Sequence, residues 1–139
     1  MTLRVEVVVP EGEIWSGRAR MVIAKTLEGD LGVLTGHPPV IGILAEGSMV
    51  QILDPEDSAG ADEAGSRVLA AVSSGFLSVA DDRVSVLGRH AQLGSQVDVA
   101  AVRTELDETL AEIGPVPADQ EPVEVKYARA RLRAAGEQS

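Results

Sequence analysis

The 139-residue chain has no cysteine, which excludes a disulfide framework and any thiolate nucleophile or ligand. Aromatic residues are nearly absent. Trp15, Phe76 and Tyr127 are the whole set, too few to build a platform on which nucleic-acid bases stack. Positive charge is scarce as well: 12 Lys and Arg stand against 22 Asp and Glu, a formal net charge of −10. A surface of that sign repels a phosphate backbone, so free nucleic acid is excluded as a partner. No apolar run reaches the roughly 18–20 residues that span a bilayer. Residues 1–20 carry Arg4, Glu6, Glu11, Glu13, Arg18 and Arg20, which leaves no continuous apolar segment for a secretory signal. The expectation is a soluble, cytoplasmic chain that meets a membrane only through a complex.

Groups for catalysis are equally thin. The two histidines, His37 and His90, show no H-x-x-x-H or similar ligand spacing, so no metal is expected. Ser73 and Ser74 in "SSGF" do not form a G-x-S-x-G nucleophile elbow, and without a placed base they read as turn residues. "EGDLGVLTG" has glycines but neither a lysine nor a following helix, so it is not a phosphate loop. No catalytic residue is assigned and no cofactor is expected.

What the chain does have is two hydrophobic periods. Through about residue 89 the period is two. "LRVEVVV" alternates Leu3, Val5, Val7 and Val9 with Arg4 and Glu6, the pattern of a strand buried on one face. "RMVIAKTL", "SMVQIL", "RVLAAVSS", "GFLSVA" and "RVSVLG" follow, separated by turn signals at 10–12, 16–17, 28–32, 45–47 and 80–82. Many short strands at close spacing predict a β-sandwich or a barrel. Residues 54–66, "DPEDSAGADEAGS", hold five acids and no base. They read as a solvated hairpin loop, because the ligand order of a calcium loop is missing.

From residue 90 the period changes. Val99, Val102, Leu106, Leu110 and Ile113 form one stripe of a helix over about 97–113, ended by Gly114-Pro115. "PVPADQEP" is a stiff polar link. A second helix over about 122–135 carries Val125, Ala128, Leu132 and Ala135 on one face and Lys126, Arg129 and Arg133 on another. The chain therefore divides into a β-domain, 1–89, and a helical domain, 90–139. Glu105, Glu108 and Glu112 give the first helix an acidic stripe, so the two helices can pair as an antiparallel hairpin through those charges. The apolar stripe is narrow and alanine-rich, so the hairpin is expected to lean on the β-domain or on a partner.

"GDLGVLTGHPPVIGIL", residues 29–44, sets His37 before two prolines. Pro38 forces His37 toward an extended backbone. Two readings stand: a turn histidine satisfied locally, or a contact side chain on a rigid protruding loop.

Together, "PEGEIWSG", "LEGDLGVLTGHPPVIGIL", "AVSSGFLSV" and "RVSVLGRHA" resemble the epsilon-subunit family of F-type ATP synthases. The family loop is matched by Gly29, Asp30, Leu31, Gly32, Val33, Leu34, Gly36, His37 and Pro39, and its next segment by Gly75-Phe76-Leu77-Ser78-Val79. The match keeps order and spacing over nearly the whole chain. The ending "ARARLRAAG" is similar to the actinobacterial branch, whose second helix is short and arginine-rich. The resemblance implies a β-sandwich of about ten strands followed by a C-terminal two-helix hairpin. It implies a non-catalytic central-stalk subunit, peripheral to the cell membrane on its cytoplasmic side, with the gamma subunit and the c-ring as partners. Such a subunit couples proton-driven rotation to ATP synthesis. Its helices restrain ATP hydrolysis by reaching alpha and beta subunits, which makes Arg129, Arg131 and Arg133 the regulatory candidates. Carried over by position, Asp30 faces the c-ring and His37 the gamma subunit, with Leu31, Gly36 and Pro38 in the same docking loop.

The resemblance also offers an alternative function, ATP sensing, through an I-D-x-x-R-A motif and second-helix arginines. Here the motif reads Val97-Asp98-Val99-Ala100-Ala101-Val102, with Ala101 where the arginine belongs. Arg103 lies about 200° further round a helix. A bidentate grip on phosphate depends on that geometry. The candidate nucleotide contacts are then Asp98, Arg103, Arg129 and Arg133.

Overall fold

The computed structural model describes residues 2–56 and 66–137. Ten strands come first: β1 (Leu3–Val9), β2 (Gly12–Ala19), β3 (Met21–Thr26), β4 (Gly29–Val33), β5 (Val40–Ile43), β6 (Ser48–Leu53), β7 (Arg67–Val72), β8 (Gly75–Ala80), β9 (Arg83–Gly88) and β10 (Ala91–Leu93). Two helices follow, α1 (Val99–Ile113) and α2 (Val123–Ala134). The strands form two five-stranded sheets, ordered β2-β1-β9-β8-β5 and β10-β7-β6-β3-β4. Of the two architectures open to the sequence, the chain adopts the sandwich. The acidic run 54–66 falls largely outside the described residues.

Alternation drives the packing. Leu3, Val5 and Val7 of β1 point inward and are fully buried against Val50, Ile52 and Leu77 from both sheets. β1 is antiparallel to β2 but parallel to β9, so the first strand sits inside its sheet beside one of the last. β10 pairs with β7, so strand structure continues past residue 89.

Two turn readings are corrected. The "SG" at 16–17 lies within β2, where Gly17 leaves room for the Trp15 ring. A Cβ there would sit 3.0 Å from that ring. The "EGDLG" at 28–32 is mostly β4, an edge strand in register with β3. A glycine-rich stretch can form an edge strand because only one side needs pairing.

α1 begins at Val99 because Asp98 caps it, its Oδ1 accepting from the Ala101 N–H at 3.1 Å. Gly114, at φ 73°, closes it. Val102, Leu106, Val125, Ala128 and Leu132 bury the seam between the helices. The opposite face of α2 sits on the second sheet, where Ala130 and Ala134 meet Ala71, flanked by Met49, Leu69 and Tyr127. The hairpin does lean on the sandwich. The contact layer is thin enough that two glycines touch the helix backbone. A Cβ on Gly47 would collide with the Lys126 backbone, and one on Gly94 would lie 2.5 Å from the Ala134 carbonyl carbon.

Candidate functional site

The hairpin covers part of the second sheet and leaves the outer face of the first sheet open. That face carries three rows of side chains, set by the strand registers. Val8, Leu87, Phe76 and Ile43 stand side by side across β1, β9, β8 and β5. Ile43 is 61 % exposed and Phe76 42 %. Leu27, 68 % exposed, extends this apolar row, since its N–H donates to the Ile43 carbonyl at 2.9 Å. The next row is polar, Glu6, Ser85 and Ser78, with Ser85 Oγ donating to Glu6 Oε1 at 2.8 Å; it ends in exposed Ile41. The third row is Arg18, Arg4 and Arg83.

The apolar row escaped the sequence reading, although a signal was present. Alternation breaks at Val7-Val8, Ile43-Leu44, Phe76-Leu77 and Val86-Leu87. In a pleated strand two consecutive apolar residues must point to opposite faces, so each pair carries one residue outward.

The segment read as a single docking loop is divided. Asp30 is exposed on β4, opposite Lys25, beside the β3–β4 turn. Leu31 is half-buried and packs against the core. The loop itself is only 34–39, at the other end of β4. There Gly36, at φ 85°, donates its N–H to Asp82 Oδ1 at 2.6 Å, which ties the loop to the β8–β9 turn. His37 is half-buried; its N–H donates to the Leu34 carbonyl at 3.2 Å and its Nδ1 lies 2.7 Å from the Pro38 carbonyl. Pro38 is exposed.

The helical cations are engaged within the chain, and only Arg131 is met by the expected acidic stripe, through Glu105. Arg129 grips Glu121 with two hydrogen bonds, 2.8 and 3.1 Å. That hydrogen bonding holds the Glu121 carboxyl below its ordinary pKa and raises that of Arg129. Arg131 is not on a solvent-facing surface: its side chain is 14 % exposed, bonded to Glu105 at 3.0 Å and stacked 4.6 Å from the Tyr127 ring centroid. Burial raises the pKa of the Tyr127 hydroxyl. Arg133 donates to the Gly47 carbonyl at 3.2 Å, and Lys126 meets Glu46 at 3.8 Å. Of the three expected acids, Glu105 alone joins an ion pair among the described residues, and its partner is Arg131.

The nucleotide candidates are not gathered into one place. Asp98 spends its side chain on the helix cap, and Arg103 pairs with Glu137 at 3.1 Å. Arg129 lines a groove with Leu110, Ala111 and Gly114, at the far end of the hairpin. Asp98 and Leu110 are 12 residues apart on one helix, about 18 Å. Among the described residues no three His, Cys, Asp or Glu side chains cluster as metal ligands, and no helix is long and apolar enough to cross a membrane.

Fold and faces together define a class: a ten-stranded sandwich with one open, partly apolar sheet face and a helical hairpin, its second helix arginine-rich, folded against the other sheet. Residues 2–94 match the family model for the ATP synthase delta/epsilon chain β-sandwich domain. The chain is 46 % identical over 134 residues to the ATP synthase epsilon chain of Thermobifida fusca, covering 96 % of this chain and 91 % of that one. With the epsilon chain of Streptomyces coelicolor it shares 37 % identity, at 96 % and 94 % coverage. Its fold superimposes on a chain of the Euglena gracilis mitochondrial ATP synthase with a TM-score of 0.62 at 18 % identity, over 97 % of this chain and 79 % of that one. A chain in the central stalk and c-ring structure from Tetrahymena thermophila gives 0.56, again at 18 % identity, over 97 % and 91 %. The chain belongs to the ATP synthase epsilon chain family.

Proposed function

We propose that this chain is a non-catalytic subunit of an ATP synthase rotor, docked between the gamma subunit and the c-ring, where it passes rotation between them. The observation that carries this reading is the apolar row Val8–Leu87–Phe76–Ile43. Soluble proteins leave few large apolar side chains aligned on a sheet face, and covering one such side chain fully is worth about 1.5–3 kcal/mol. The gamma subunit covers this face. The β3–β4 turn at its edge, with Leu27 and Asp30, meets the polar loops of the c-ring. His37, at the opposite end of β4, lies against gamma. Asp30 and His37 serve two partners, which agrees with their separation by a strand. The rigid tie of Gly36 to Asp82 limits the entropy lost on docking. The protein sits on the cytoplasmic side of the cell membrane and is held there through the complex.

The hairpin is a stored brake. With α2 seated, Arg129, Arg131 and Arg133 are occupied by Glu121, Glu105 and the Gly47 carbonyl. To reach acidic surfaces of the alpha and beta subunits they must leave these partners. The seat is imperfect, since the buried Arg131 Nε has no hydrogen-bond partner among the described residues. A group left so lowers the stability of the seated form.

The test is a pull-down from mildly solubilised membranes with the full chain tagged at native expression. Alpha, beta, gamma and c subunits are expected with the natural chain, and are lost with Ile43→Ser plus Phe76→Ser. Recovery of the natural chain alone would overturn the proposal.

A further inference from the structure

Arg18, Arg4 and Arg83 form the third row on the open face, directly opposite one another across β2, β1 and β9. All three are exposed, and none has an ion-pair partner among the described residues. Three of the chain's 12 cationic residues therefore have their Cα atoms about 5 Å apart in a line, within a protein of net charge −10. Like charges set directly opposite in a sheet destabilise it. The neighbouring cation shows the alternative: Arg20, two residues beyond Arg18, is matched by Asp54 at 2.6 Å. The nearest acid on the same face, Glu6, already accepts a hydrogen bond from Ser85.

We propose that the arginine row is a docking site for carboxylates of the protein segment that covers this face. The proposal rests on the docking reading above, because the row shares its face with the apolar row. Arg4 and Val8 are four residues apart on β1, about 13 Å. A helix lying along the strands spans that distance in about nine residues. The segment therefore carries apolar side chains at one point and Asp or Glu about nine residues away on the same side. An extended anionic surface, such as a lipid headgroup layer, fits less well. It would also face Glu6, Glu56, Asp81 and Asp82 near the row and the negative charge of the whole chain. A short acidic segment feels the arginines within the screening length of about 8 Å.

The experiment uses the full chain and purified gamma subunit, with Arg4→Glu as the main variant and Phe76→Ser as the comparison. Arg4→Glu turns the row into alternating charges. The free chain is expected to melt a few degrees higher while its association with gamma slows about tenfold and loses much of its salt dependence. Unchanged association of Arg4→Glu, with Phe76→Ser binding impaired, would overturn the carboxylate proposal and leave the docking reading standing. Unchanged association for both variants would overturn both, as would failure of the natural chain to bind gamma. Binding of phosphatidylglycerol vesicles that Arg4→Glu abolishes, with gamma association untouched, would identify a lipid as the occupant and also overturn the proposal.

Discussion

Gly94→Ala should unseat α2 while sparing the sandwich. Gly94 lies in the short turn after β10, at the point where the C-terminal end of α2 meets the β-domain. A Cβ added there falls 2.5 Å from the Ala134 carbonyl carbon and 3.2 Å from its Cβ, against ordinary contacts of 3.4–4 Å. The obstacle is helix backbone, which cannot rotate aside like a long side chain. α2 must therefore move by about an ångström, and overpacking of that kind costs about 1–3 kcal/mol. The layer it disturbs is thin, being Ala71, Ala130 and Ala134 with Met49, Leu69 and Tyr127 at its margin. Hydrogen exchange of the α2 amides reads the effect directly. Exchange over residues 123–134 should accelerate about 10- to 100-fold, as 1.4 kcal/mol is a factor of ten. Trp15 packs against the sandwich core and reports on that half separately, so its unfolding transition should stay in place. Ser95→Ala, an exposed neighbour in the same turn, serves as the control. Unchanged α2 protection in Gly94→Ala would refute the claim that this glycine seats the helix.

Other perturbations follow from the same contacts. Asp82→Gly removes the acceptor of the Gly36 N–H while suiting the φ of 58° at that position, so it should lower stability by about 1 kcal/mol and speed exchange of the Gly36 amide. Glu121 has its pKa depressed by the Arg129 hydrogen bonds, so the pair stabilises the hairpin above pH 4.5 and loses that contribution as pH falls through the lower folded value. Circular dichroism from pH 6 to 3 should show a steeper loss of helix in the natural chain than in Glu121→Gln; superimposable profiles would contradict it. Deleting residues 122–139 should raise ATP hydrolysis by the assembled complex, measured with a coupled assay, and unchanged hydrolysis would count against the brake.

The sandwich was legible because its strands alternate cleanly. β1, β6, β8 and β9 carry inward residues at every second position, and their bounds follow from that alone. β2, β4, β5 and β10 were hidden. β4 is edge backbone rich in glycine, and β10 is three residues long; neither has a periodic pattern to read. The helices were legible from their stripes, but most of their charge partners were not. Residue spacing on a helix gives the face and leaves open what lies opposite. Arg129 found Glu121 in the link rather than an acid of α1, while Arg131 did meet an α1 acid, Glu105, and also stacks on Tyr127. The Asp30–Pro38 segment was legible as a motif, yet its division between a strand and a tied loop depended on Asp82, 46 residues further along.

The parallel pairing of β1 with β9 has a consequence for synthesis of the chain. β1 can form a hairpin with β2 as soon as both leave the ribosome, but its other edge stays open until residues 83–88 arrive. At about 5–20 residues per second that interval is about 4–15 s. During it a valine-rich strand with one free edge is exposed to other nascent chains. Closing the first sheet is the long-range step of folding, and it can occur before α2 is made. α2 is then added to a sandwich that can already be closed, and its seat on Gly47 and Gly94 is the last contact surface formed.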